Sequence, residues 1–173
     1  MKAYLANGLF SESDQIYNRF LAEKLRNEFK WMDLYVPQEN AALNDKSGYA
    51  DSKTIFQGDN FYLDKSDILI IVLDGIEVDS GVASELGRFT MLCDLDKSKK
   101  RTVFGLYSDI RQQGRNNQKK IDALISDGSE NQFFYRNLYV VGAVKSYGFL
   151  LSSSDELISK IKDIYPKGEK WKN

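Results

Sequence analysis

The residue types best able to do chemistry sit in one short run, Asp79-Ser80-Gly81-Val82-Ala83-Ser84-Glu85-Leu86-Gly87. It opens a segment in which Val82, Leu86 and Phe89 recur at helical spacing. Asp79 falls where an N-cap belongs, and Glu85 falls about two turns later, near the apolar face. A carboxylate set beside a helix-lined core is expensive to bury unless it is paired or functional. The plainer alternative is that Asp79 only caps the helix and that Glu85 is a half-exposed polar residue. The chain contains no His. Acid–base work therefore falls to carboxylates, Tyr, Lys or Cys93, and Ser-His pairs, Cys-His pairs and the usual zinc and iron ligand sets are excluded.

The elements that must position these residues follow from periodicity. Lys2–Ala6 reads as a short strand broken by Asn7-Gly8. Ile16, Phe20, Leu21, Leu25 and Phe29 mark an amphipathic helix over Ser13–Phe29. Leu34-Tyr35-Val36 reads as a second strand closed by Pro37, and Ala41–Tyr49 as a polar loop. A helix is expected over Ser52–Lys65. The run Asp67–Leu73 is uninterrupted and apolar, as a strand covered on both faces requires. A third helix follows Asp79, and Arg101–Tyr107 is a fourth strand. Ser108–Gln118 is a polar connection, Ile121, Leu124 and Ile125 mark a short helix, and Leu138–Val144 reads as the fifth strand. A helix over Ser154–Ile164 closes the fold, and the tail Lys167–Asn173 is expected to fray.

Strands alternating with helices predict a doubly wound, flavodoxin-like α/β fold: a parallel five-stranded sheet with helices on both faces. In such folds ligands sit beyond the carboxyl ends of the strands, which directs attention to Asn7–Phe10, Gln38–Asn40, Asp74–Asp79 and Ser108–Arg111. The 173 residues suit one domain over 1–173. With 24 Lys+Arg against 25 Asp+Glu, the balanced charge disfavours a nucleic-acid polymer as partner. One Cys, no apolar run of membrane-spanning length and no room for a signal peptide before the first strand predict a cytoplasmic protein.

The run Asp-x-Gly-x-x-x-Glu-Leu-Gly after a parallel strand resembles the signature of the nucleoside 2-deoxyribosyltransferase family. Further landmarks stand in the family's order. Tyr4-Leu5-Ala6-Asn7-Gly8-Leu9-Phe10 resembles its first strand and glycine turn, and Tyr35-Val36-Pro37-Gln38-Glu39-Asn40 its second-strand exit. Asp59 matches the acidic residue that handles the nucleobase. Asn137-Leu138-Tyr139 resembles an Asn-Leu-Met element whose Asn enters the neighbouring subunit's site, with Tyr139 in place of the Met. The resemblance spans roughly residues 3–160. Ala41 stands where some members carry a base-reading Gln, and the end, Trp171-Lys172-Asn173, differs from their terminal aromatic.

The resemblance implies exchange of a 2′-deoxyribosyl group between nucleobases through a covalent glycosyl-Glu85 intermediate. Its substrates would be 2′-deoxynucleosides and free nucleobases, with no metal and no organic cofactor. Glu85 would be the nucleophile, and Asp59 would carry a proton to the departing base and from the incoming one. Asp79 would hold a sugar hydroxyl, Tyr4 would contact the nucleophile, Phe10 would pack near the base beside the Gly8 turn, and Asn137 would complete a neighbour's site. That last role implies a homo-oligomer built on dimers, up to a hexamer. Each residue also has a plainer reading: Tyr4 a core aromatic, Phe10 a hydrophobic staple, Asp59 a solvated helix carboxylate, Asn137 a turn residue leading into the fifth strand. On the same fold, hydrolysis of 2′-deoxynucleoside 5′-monophosphates is the near alternative, and a non-catalytic nucleotide-binding module the distant one. A phospho-accepting receiver module lacks the acidic pair it needs after the first strand, where Ala6-Asn7 stand.

Overall fold

The computed structural model describes residues 1–133 and 136–166. Five strands, β1 (Lys2–Ala6), β2 (Asp33–Tyr35), β3 (Ile68–Val72), β4 (Thr102–Leu106) and β5 (Gly148–Leu151), form one parallel sheet in the order β2-β1-β3-β4-β5. This is the flavodoxin-like order, whose switch point lies between β1 and β3. The helices are α1 (Glu12–Glu28), α2 (Ala41–Asn44), α3 (Ser52–Leu63), α4 (Ser80–Leu95), α5 (Gln118–Ser126), α6 (Leu138–Tyr147) and α7 (Ser154–Ile164). The expected tail lies outside the described residues. Among the described residues no helix is long and apolar enough to cross a membrane.

Successive strand residues point to opposite faces, so each strand divides its side chains between two cores. Ala3, Leu5, Ile68, Ile70, Val72, Phe104 and Leu106 pack under α1 and α7, with Leu21, Leu25, Leu157 and Ile161. Tyr4, Ala6, Leu69, Ile71 and Leu73 pack under α3, α4 and α6, with Leu63, Leu86, Phe89 and Val144. The alternation places Tyr4 on the α4 side as a buried, polar-tipped side chain of β1.

Two expectations are corrected. Residues 138–144 are not a strand: they form most of α6, and the fifth strand begins at Gly148. The segment is rich in β-formers, but Asn137 caps it, accepting from the backbone of Tyr139 and Val140 at 3.0 and 3.4 Å. Val140 and Val144, one turn apart, supply a buried face. Gly148 starts the true strand because a Cβ there would fall 1.7 Å from the Val103 carbonyl oxygen, so only glycine permits the approach to β4. The polar loop over 41–49 holds the single-turn helix α2, packed on α3 where Gly58 lies against Leu43.

Candidate functional site

The candidate site is assembled at the carboxyl ends of β1 and β2 from side chains of β1, β2, α3 and α4. Asp79 caps α4, its Oδ1 accepting from the Val82 amide at 3.0 Å, and this sets the helix so that Glu85 turns towards the sheet. Tyr4, fully buried on β1, donates its hydroxyl to Glu85 Oε1 at 2.5 Å. The arrangement is costly. Burial first, and then the charges of Asp59 and Asp79, push the Glu85 carboxyl up to about 7, while the Tyr4 hydrogen bond pulls it down. Burial and the Glu85 charge raise Tyr4 far above the usual phenol range, so it holds its proton and remains a donor.

A second carboxylate lies near the first. Asp59, on α3, accepts from the Tyr35 hydroxyl at 3.2 Å, and the Tyr35 hydroxyl accepts from Asn40 Nδ2 at 3.0 Å. Burial raises the Asp59 carboxyl, whereas the Tyr35 hydrogen bond and the Lys46 charge lower it. Tyr35 is sandwiched, stacked on Tyr62 with ring centroids 3.8 Å apart and tilted against Tyr4 at 5.2 Å. The spacing of the two carboxylate-bearing helices is held by a bidentate pair: Arg88 of α4 donates to both oxygens of Asp64, the residue capping α3, at 2.7 and 2.6 Å.

Behind the site, the buried Asn18 of α1 ties two strand exits together. It accepts from Asn7 Nδ2 at 2.7 Å and donates to the Gly8 carbonyl and to Gln38 Oε1, each at 3.0 Å. Gly8 therefore sits on a fixed turn. Phe10 is 74% exposed and is no staple, because Ser11 and Asp14 form the capping box of α1 and the fourth helical residue is the polar Gln15. Its ring instead faces the Lys46 ammonium at 5.6 Å, the same lysine whose charge reaches Asp59.

The structure thus brings Tyr4, Glu85 and Asp59 together, with Asp79 close enough for its charge to act on Glu85. It does not bring Asn137 to them. Asn137 is an exposed cap that lines, with Ile76, Glu77, Val78, Ala83 and Val140, a cleft of about 410 Å³. A larger groove of about 960 Å³ runs between α4 and α6, past Ser84, Gly87, Met91, Leu138 and Tyr139. Leu138 and Tyr139 are 81% and 87% exposed. Sequence reasoning gave no role to Tyr35, Asn40, Tyr62, Asn18 or Arg88. The one available signal was Asn40, a polar side chain just after a strand exit. Among the described residues no cluster of three or more His, Cys, Asp or Glu could hold a metal ion.

A family model described as nucleoside 2-deoxyribosyltransferase matches residues 3–125, a span that contains Tyr4, Asp59, Asp79 and Glu85. A conserved protein from Enterococcus faecalis is 46% identical, with a TM-score of 0.83 over 94% of this chain and 97% of that one. A 2-deoxyribosyltransferase from Bacillus psychrosaccharolyticus is 24% identical, with a TM-score of 0.45 over 61% of this chain and 72% of its own. One from Leishmania mexicana is 18% identical, with a TM-score of 0.44 over 65% and 71%. No curated protein matches.

Proposed function

Because the chain belongs to the nucleoside 2-deoxyribosyltransferase family, we propose that it moves a 2′-deoxyribosyl group from one nucleobase to another by double displacement on Glu85. The observation that carries this reading is the Tyr4–Glu85 pair: a largely buried carboxylate gripped through Oε1 by a phenol that keeps its proton. The grip leaves Oε2 to attack. In the first half-reaction Glu85 Oε2 bonds to C1′, the C1′–N bond breaks with its electron pair going to the base, and neutral Asp59 protonates that base. In the second, a ring nitrogen of the incoming base bonds to C1′, its proton passes to Asp59, and Glu85 departs as a carboxylate. Two inversions give net retention.

The raised carboxyls suit this division. Burial raises the Asp59 carboxyl, the direction a general acid needs, and brings the Glu85 carboxyl to about 7, where it can still ionise to attack. Asp79 has one oxygen on the α4 cap, and its other is assigned to a sugar hydroxyl, a positioning role. Phe10, exposed above the Gly8 turn, is assigned to the base. Asn137 is assigned to the site of a neighbouring copy. The exposed Leu138 and Tyr139 beside it, on the rim of the α4–α6 groove, support a homo-oligomer joined there. No metal or organic cofactor has a part in these steps, and a reducing cytoplasm suits the buried, unpaired Cys93.

The test is incubation with 2′-deoxyinosine and free adenine, followed by chromatography. New 2′-deoxyadenosine that Glu85→Ala abolishes is the expected result. Free deoxyribose without a new nucleoside would assign hydrolysis instead, and no turnover with tight nucleoside binding would assign a binding module.

A further inference from the structure

Each of the two carboxylates has its own tyrosine. Tyr4 serves Glu85 and Tyr35 serves Asp59, with the rings 5.2 Å apart. The Tyr35 arrangement is the more constrained. Its ring is stacked on Tyr62 at an interplanar angle of 9°, which fixes where the hydroxyl points. That hydroxyl accepts from Asn40 Nδ2, and an amide nitrogen can only donate. The phenol's own proton is therefore left for Asp59 Oδ1. Asn40 occupies the N-cap position of α2, yet its side chain makes no capping hydrogen bond, so its amide serves Tyr35 in place of the helix. Oδ1 is thus an acceptor whether Asp59 is ionised or neutral, and the proton of the neutral acid must sit on Oδ2.

We propose that Tyr35, oriented by Asn40, is a positioning residue that confines the exchangeable proton of Asp59 to Oδ2 and aims it at the nucleobase. This rests on the reading of Asp59 as the proton carrier. The charged and titratable groups that face Asp59 are Tyr35 from β2, Lys46 from the segment after α2, Glu85 from α4 and Tyr4 from β1. Of these, Tyr35 is the one in hydrogen-bond contact with the carboxyl. Removing its hydroxyl frees Oδ1, divides the proton between two oxygens and removes a contact that favours the ionised form. The limb of the pH–rate profile that Asp59 sets then moves to higher pH.

The experiment compares two donors with Tyr35→Phe, a change that keeps the ring stack. The base of 2′-deoxyinosine needs a proton to depart. A 7-methylated purine 2′-deoxynucleoside carries a positively charged base that departs neutral, so its release needs Glu85 but not Asp59. Rapid-mixing measurement of base release should find Tyr35→Phe slowed about 10–100-fold on 2′-deoxyinosine. On the methylated donor the change should stay within about twofold. The high-pH limb for 2′-deoxyinosine should move upward. Asn40→Ala should reproduce the donor-selective loss at about a tenth of its size, and it carries the test if thermal unfolding finds Tyr35→Phe misfolded. Equal slowing on both donors, or no slowing on either, overturns this inference alone. Failure of the unaltered protein to release base from either donor overturns the functional reading beneath it.

Discussion

The two faces of the sheet use one strand alternation and treat polar groups in opposite ways. Under α1 and α7 the core is apolar. A buried polar contact there, between the hydroxyls of Thr102 and Tyr165 at 2.8 Å, is neutral and mutually satisfied. Under α3 and α4 the same packing surrounds Glu85 and Asp59, two carboxyls that burial pushes above their ordinary range. One face lowers the free energy of the fold. The other holds charge at a cost to it, the pattern expected where geometry is kept for chemistry. The carboxylates are tolerable because each has a phenol donor and because Arg88 locks their helices together through Asp64.

If that contrast is right, Asp59→Asn should slow exchange between unactivated bases by about 10²–10⁴-fold with little change in stability, read by steady-state chromatography and thermal unfolding. A comparable loss of stability would make Asp59 a structural residue. On the opposite face, Leu157→Ala should cost about 2–5 kcal/mol in denaturant unfolding and leave the turnover of the folded fraction unchanged. An altered pH–rate profile in that variant would show that the faces are not independent.

The stability cost of Glu85 itself has a definite sign. Its native carboxyl is raised from 4.5 to about 7, so between those values the native state binds the proton more tightly than the unfolded chain. Stability therefore falls as pH rises through this window. Glu85→Gln should be more stable than the unaltered protein at pH 8, by up to about 3 kcal/mol, and should lose that advantage near pH 4. Equal effects at both pH values would break the comparison. Smallest, Tyr4→Phe should lower exchange at neutral pH by about tenfold and move its low-pH limb upward, because the lost hydrogen bond had favoured ionised Glu85.

Most of the architecture was legible because the strands are buried runs between amphipathic helices. Asp67–Leu73 could be read as a central strand from its unbroken apolar character alone. The misreading at Leu138-Tyr139-Val140-Val141 came from local β-propensity, which the Asn137 cap and the packing of Val140 and Val144 override. Gly148, obligatory at the true start of β5, has a local sequence signal no different from other glycines. At the site, Asp79 was legible as a cap and Glu85 as a carboxylate on an apolar face. The proximity of Tyr4 to Glu85 depended on a family resemblance, since 81 positions separate them. Tyr35 and Asn40 lay in a segment the sequence marked but were given no role, and Arg88 was not marked at all: each acts through a partner on another element, and no periodicity records such pairings.

The central claim, that Glu85 bonds transiently to an anomeric carbon, is tested most directly by intact-mass measurement after rapid quenching with a 2′-deoxynucleoside donor and no acceptor base. The expected result is an increase equal to one deoxyribosyl group, carried by the peptide containing Glu85 and absent from Glu85→Gln. Base exchange with no adduct, or an adduct on a peptide that lacks Glu85, would contradict it.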